Sequence, residues 1–183
     1  KKEVSQSHRN ERLGGASENH KLMYAAAAYL AGIAWPDEYP KEWFNIGYNH
    51  LMRWFDTVTS IAFWEEDSPT YLIHHMGPIV SIADHAPEGS EMKTKATMVL
   101  EWYFASVAGE YLHGYWITPA ARDYNPLYGL AFSAETTSLT WLYFGDVAHI
   151  PNPHVYQPWR HWKAVTHFAV SDYRLPDIIK RIA

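Results

Sequence analysis

Three short groupings carry the residues best suited to chemistry. Ser17-Glu18-Asn19-His20 stands where a helix should begin, and Glu65-Glu66-Asp67-Ser68-Pro69-Thr70-Tyr71 stands ahead of another. The third, Arg122-Asp123-Tyr124, lies in a segment from Gly109 to Tyr128 that also holds Tyr111, His113, Tyr115 and Trp116. Polar groups at two helix starts, together with an Arg/Tyr loop, suit an anionic ligand. The unpaired N–H groups and positive dipole end of a helix N-terminus attract negative charge. The same residues have structural uses: Asn19 can satisfy backbone groups at its helix start, and Glu65 is favoured there by the dipole alone.

Other chemistries lack their signatures. His74 and His75 are adjacent, so on a helix they point about 100° apart and cannot grip one ion together. The remaining histidines show no HxxxH or HxH spacing, so no metal site and no cofactor is expected. No nucleophile elbow, phosphate-binding glycine loop or dinucleotide fingerprint occurs. The absence of cysteine removes disulfides and thiolate catalysis. A net charge of −5 argues against nucleic acid as a partner. The longest apolar run, Leu22 to Trp35, falls short of the ~20 residues a membrane span needs.

The elements that must position these groups read as helices. Ser17 is a suitable N-cap for a helix to about Ala31, with Gly32 as its stop and Pro36 beyond. Its alanine run would let a neighbour approach closely. A second helix is predicted from about Lys41 to Phe63, with Phe44, Leu51, Trp54, Phe55, Val58 and Ile61 as its apolar positions. After Ser68-Pro69 a third carries Leu72, Ile73, Met76, Ile79, Val80 and Ala83 on one stripe. The turn at residues 86–89 leads to Ser90, which caps a long helix with Met92, Ala96, Val99, Leu100, Tyr103 and Val107 inward. So short a connection makes this pair an antiparallel hairpin. From Gly109 to Tyr128 glycines and prolines break the pattern into a loop rich enough in aromatic and cationic groups to be functional. Ser133 to Phe144 reads as either a helix or an extended stretch, and the tail after Pro176 as helical. Aromatic residues make up 16% of the chain, more than large helices need for their cores, and Trp and Tyr also stack on sugar rings. The expected fold is all-α, as a single domain over 1–183.

An Asn-His pair opening a helix, a later Glu-x-x-Ser-Pro-Thr-Tyr helix start and an Arg-x-Tyr loop, in that order over residues 11–128, resemble the α/α-toroid polysaccharide lyases. The resemblance implies antiparallel helical hairpins forming part of an (α/α)n toroid. Such toroids are longer than this chain, which implies a portion of a larger protein. It further implies cleavage of an acidic, uronate-containing polysaccharide such as alginate by β-elimination, in the periplasm or outside the cell. In that chemistry Asn19 and His20 neutralise the substrate carboxylate with Arg122, and Tyr124 or Tyr128 exchanges the proton. Glu65, Tyr71, His113, Tyr115 and Trp116 would contact substrate. Two alternatives share these residues: a toroid hydrolase with Glu65 or Glu66 paired to Asp123, and a non-catalytic glycan-binding module.

Overall fold

The structure, a computed structural model, describes residues 17–61, 68, 70–112, 115–118, 136–145 and 165–183, with the backbone alone at Tyr115 and Thr137. The described residues are mostly helical, in agreement with an all-α fold. The elements are α1 (Glu18–Ala34), α2 (Lys41–Ile61), α3 (Leu72–His85), α4 (Glu91–Gly109), β1 (Tyr111–Leu112), β2 (Tyr115–Trp116) and α5 (Thr137–Phe144). Residues 165–170 are helical, and Asp177–Lys180 forms a last single turn.

Small residues set the closeness of the first hairpin. Ala25, Ala26 and Ala28 of α1 are buried. A Cβ at Gly47 of α2 would lie 2.7 Å from the Ala25 carbonyl oxygen and 3.0 Å from the Tyr29 nitrogen. The two backbones therefore touch with no side chain between them. At the far end of the pair, Phe44 packs over Gly32; at the near end, Trp54 reaches Glu18. These contacts run in opposite order along the two helices, so the pair is antiparallel.

Gly32 does not stop α1, which continues to Ala34. A Cβ at Gly32 would meet Phe44 Cδ2 at 2.5 Å, so this glycine makes room for a ring rather than ending the helix. The stop comes at Trp35, whose N–H still bonds the Ala31 carbonyl before the chain turns. In α2, Leu51, Trp54, Phe55 and Val58 are buried as expected, but Ile61 is 77% exposed at the last described position of the helix.

The second hairpin follows its sequence signals closely. Ser90 Oγ accepts from Lys93 N at 3.2 Å, capping α4. Gly89, at φ 73°, supplies the left-handed turn residue that a side chain would resist. α3 is buried on most of its circumference, including Leu72, Ile73, His75, Met76, Ile79, Val80 and Ile82. Three neighbours cover it: α1, α4 and the segment 165–175, which passes His167 over Gly77 and Ser171 onto Asp84. A helix surrounded in this way is the axis of the packing, and its two ends become natural places for sites.

Beyond α4 the expected loop contains a small antiparallel ribbon, with Tyr111 opposite Trp116 and Leu112 opposite Tyr115. Thr137–Phe144 resolves as helix. Its Tyr143 joins Phe104 (ring centroids 4.5 Å apart), Phe168 (5.9 Å) and Tyr173 (6.0 Å) in an aromatic cluster on the outer side of α4. Among the described residues, no helix is long and apolar enough to cross a membrane.

Candidate functional site at the N-terminal ends of α1 and α3

Trp54 joins the beginnings of α1 and α3. Its Nε1–H donates to Glu18 Oε1 at 3.1 Å, on the first turn of α1. Its ring stacks on His75, on the first turn of α3, with centroids 6.2 Å apart and planes 17° from parallel. Tyr103 of α4 lies on the same indole at 6.4 Å. Two helix starts about 50 residues apart in sequence are thereby held side by side, with their N–H groups and dipoles at one end of the packing.

At the α1 start, Ser17 occupies the N-cap position, but its side chain does not cap the helix. Its hydroxyl donates instead to Asn19 Oδ1, in a short contact, and Oγ lies 2.7 Å from His20 Nδ1. A hydroxyl has one proton. With that proton committed to Asn19, the bond to His20 requires Nδ1–H as its donor. The lone pair of the neutral ring then resides on Nε2. Asn19 is buried and His20 exposed, so the pair spans the edge between core and solvent. Tyr24 stacks on His20 one turn later, at 6.4 Å.

At the α3 start, Ser68 is fully buried. It accepts Tyr71 N on Oγ at 3.2 Å and Leu72 N on its carbonyl at 3.1 Å, satisfying the first orphan donors of the helix. This is the capping role the Ser-Pro signal promised. Tyr71 is half-buried, with its ring near His74. His75 Nδ1–H donates to the Tyr71 carbonyl at 3.0 Å, and burial lowers the imidazole pKa to about 4. His75 is thus a neutral group that braces the helix start, while half-buried His74 points elsewhere, as neighbours on a helix must.

On α2, burial lowers the His50 pKa first, and the positive charges of Lys21 and Arg53 lower it further.

The structure therefore brings Asn19, His20 and Tyr71 to one end of the helical stack. Trp116 is buried on the short ribbon, where its Nε1–H donates to Glu110 Oε2 at 2.8 Å. Tyr115 is described in backbone only. Glu65, Glu66, His113, Arg122, Asp123, Tyr124 and Tyr128 lie outside the described residues. No group of three His, Asp or Glu able to hold a metal gathers among the described residues. Sequence reasoning missed Glu18 and Trp54 as the link between the two helix starts. Trp54 was legible only as a core position, because nothing local relates it to a partner 36 residues earlier.

No family model, curated protein or solved structure matches the chain.

Proposed function

We propose that this chain is part of an α/α-toroid polysaccharide lyase that cleaves a uronate-containing polysaccharide by β-elimination. The observation that carries the reading is the Glu18–Trp54–His75 contact set, which seats the Asn19/His20 pair beside the Tyr71 helix start. Two of the three motifs, at the starts of α1 and α3, are linked through Trp54, and two helix dipoles there favour a carboxylate.

In this mechanism the substrate carboxylate lies against the N-terminal end of α1. The Asn19 amide donates a hydrogen bond to it, and His20 joins in only as the imidazolium, which carries a proton on Nε2 as well as on the Nδ1 bonded to Ser17. These bonds strengthen as the neighbouring C–H loses its proton and enolate-like charge develops. The base takes that proton, the bond to the 4-linked oxygen breaks, a carbon–carbon double bond forms, and the departing oxygen receives a proton. No water is consumed. By resemblance, Arg122 completes the carboxylate clamp and Tyr124 or Tyr128 moves the proton. A polysaccharide substrate would place the protein in the periplasm or outside the cell.

The test is incubation with alginate, glucuronan, pectate and a glycosaminoglycan while following absorbance of the unsaturated uronate. Growth of that band on one substrate is the expected result. Silence on all four would overturn the proposal, and reducing sugar without the band would assign hydrolysis instead.

A further inference from the structure

At the opposite end of α3 an open depression of about 350 Å³ is lined by Tyr143, Phe168, Tyr173, Arg174, Leu175 and Lys180, among others. Its volume is at the lower end of the range for small-molecule sites. It lies on the outer side of the aromatic cluster, roughly 20 Å along α3 from Tyr71. None of its residues belongs to the α1/α3 rim.

Arg174 gives the depression its chemical character. Its Nη1 donates to the carbonyls of Ser171 at 2.9 Å and Tyr173 at 3.0 Å. Both protons of Nη1 are used, and they pin the guanidinium plane to the backbone. The Nε and Nη2 protons, the pair that grips a carboxylate in two parallel bonds, have no partner among the described residues. Ser171, which anchors this turn, is itself fixed: its Oγ donates to Asp84 at 2.8 Å and accepts from Tyr173 N at 2.9 Å. Of the carboxylates near the depression among the described residues, Asp84 is engaged by Ser171 and Asp177 by Lys180, while Glu101 is close enough to Tyr173 to add to the effect of burial in raising its phenol pKa. Lys180 adds a second cation, shared among the described residues with exposed Asp177 at 3.4 Å.

The walls are aromatic, and Tyr143 adds a phenol hydroxyl. Phe168 and Tyr143 stand nearly perpendicular, at 89°. Tyr173 is 8% exposed, and its buried hydroxyl has no hydrogen-bond partner among the described residues. Burial, with Asp84 nearby, outweighs the charge of Arg174 and pushes the Tyr143 phenol up to about 12, so it stays protonated and able to donate.

We infer that this depression binds a monosaccharide-sized ring carrying a carboxylate: the carboxylate on Arg174 and Lys180, the ring against Phe168 and Tyr143, a ring hydroxyl on a phenol. A pinned guanidinium whose Nε and Nη2 protons have no partner among the described residues, a second cation and the Tyr143 phenol on an aromatic wall match the separate parts of a sugar acid. A neutral sugar would leave the cations unused, and an aromatic acid would leave the phenol unused. This binding is independent of catalysis at the α1/α3 rim and would persist if that rim proved inactive.

Calorimetric titration of the chain with glucuronate, glucose and benzoate tests the inference. Glucuronate should bind most tightly of the three. Arg174→Gln should weaken it about tenfold or more, and Lys180→Gln by a smaller factor, with helical circular dichroism unchanged. Lys180 is on an exposed turn, so that variant carries the test if loss of the Arg174 backbone contacts disturbs folding. Equal binding of glucose, no glucuronate binding, or glucuronate affinity unaltered in Lys180→Gln would overturn it.

Discussion

At its N-terminal end α3 carries the neutral buried His75, stacked on the Trp54 indole that bonds Glu18; at its C-terminal end Asp84 meets Ser171, with Tyr143 and Arg174 alongside. Burial acts on both ends with opposite consequences for proton chemistry. It holds an imidazole unprotonated at one and phenols protonated at the other. The first end offers helix N–H groups and an Asn/His pair, suited to charge that develops during a reaction. The second offers a pinned guanidinium, an exposed ammonium and aromatic walls, suited to charge a ligand already carries. One helix with distinct chemistry at each end can thus serve two sites without either constraining the other.

Removing the indole should separate the two ends most sharply. Trp54→Ala deletes a buried side chain and the bond to Glu18, and should cost about 3–5 kcal/mol in denaturant unfolding. Glucuronate binding at the far end should survive wherever the chain remains folded. Trp54→Phe keeps a ring over His75 and should lose about 1 kcal/mol, mainly the hydrogen bond.

The ends should also fail at opposite extremes of pH. The folded His75 pKa, about 4, is below its unfolded value near 6.5, so the unfolded chain binds a proton first as pH falls. Stability is therefore full above pH 6.5, declines toward pH 4, and by linkage loses up to about 3 kcal/mol there. His75→Leu should flatten that limb of a stability–pH curve. Tyr143 behaves oppositely. Its folded pKa is raised above the ordinary 10, so the unfolded chain ionises first as pH rises, and stability declines between pH 10 and about 12. Tyr143→Phe should soften only this alkaline limb.

Crowding between α1 and α2 comes next. Gly47→Ala forces a methyl onto the α1 backbone and should cost about 2 kcal/mol, read as a lower unfolding midpoint. Smallest is Lys95→Ala. The cation bonds Asp56 and Glu91, which raise its pKa, but it sits at the surface, where such pairs contribute under about 1 kcal/mol.

The helices were legible because their signals are local. Ser90 caps where a serine before a periodic run should cap, and the stripe from Leu72 to Ala83 is buried residue for residue. Gly32 misled because a helix stop and a close ring contact both call for glycine, and only the approach of Phe44 separates them. The two-strand ribbon was invisible because each strand is too short to show an alternating pattern. Of the candidate site, the Ser17–His20 and Ser68–Tyr71 helix starts could be read directly. Their juxtaposition could not, since it depends on one indole reaching out from α2 to both of them. The Arg174 depression gave no motif at all: Arg174 is pinned by backbone carbonyls, which are silent in sequence.

The most direct measurement follows unsaturated-uronate absorbance on the best polyuronate for the wild-type chain and for His20→Ala, with circular dichroism confirming that both are folded. The expected result is a rising band for the wild type and a rate reduced by about 10²-fold in the variant. An equal rate in both proteins, or no band from either on any polyuronate, would contradict a lyase site at the α1/α3 rim.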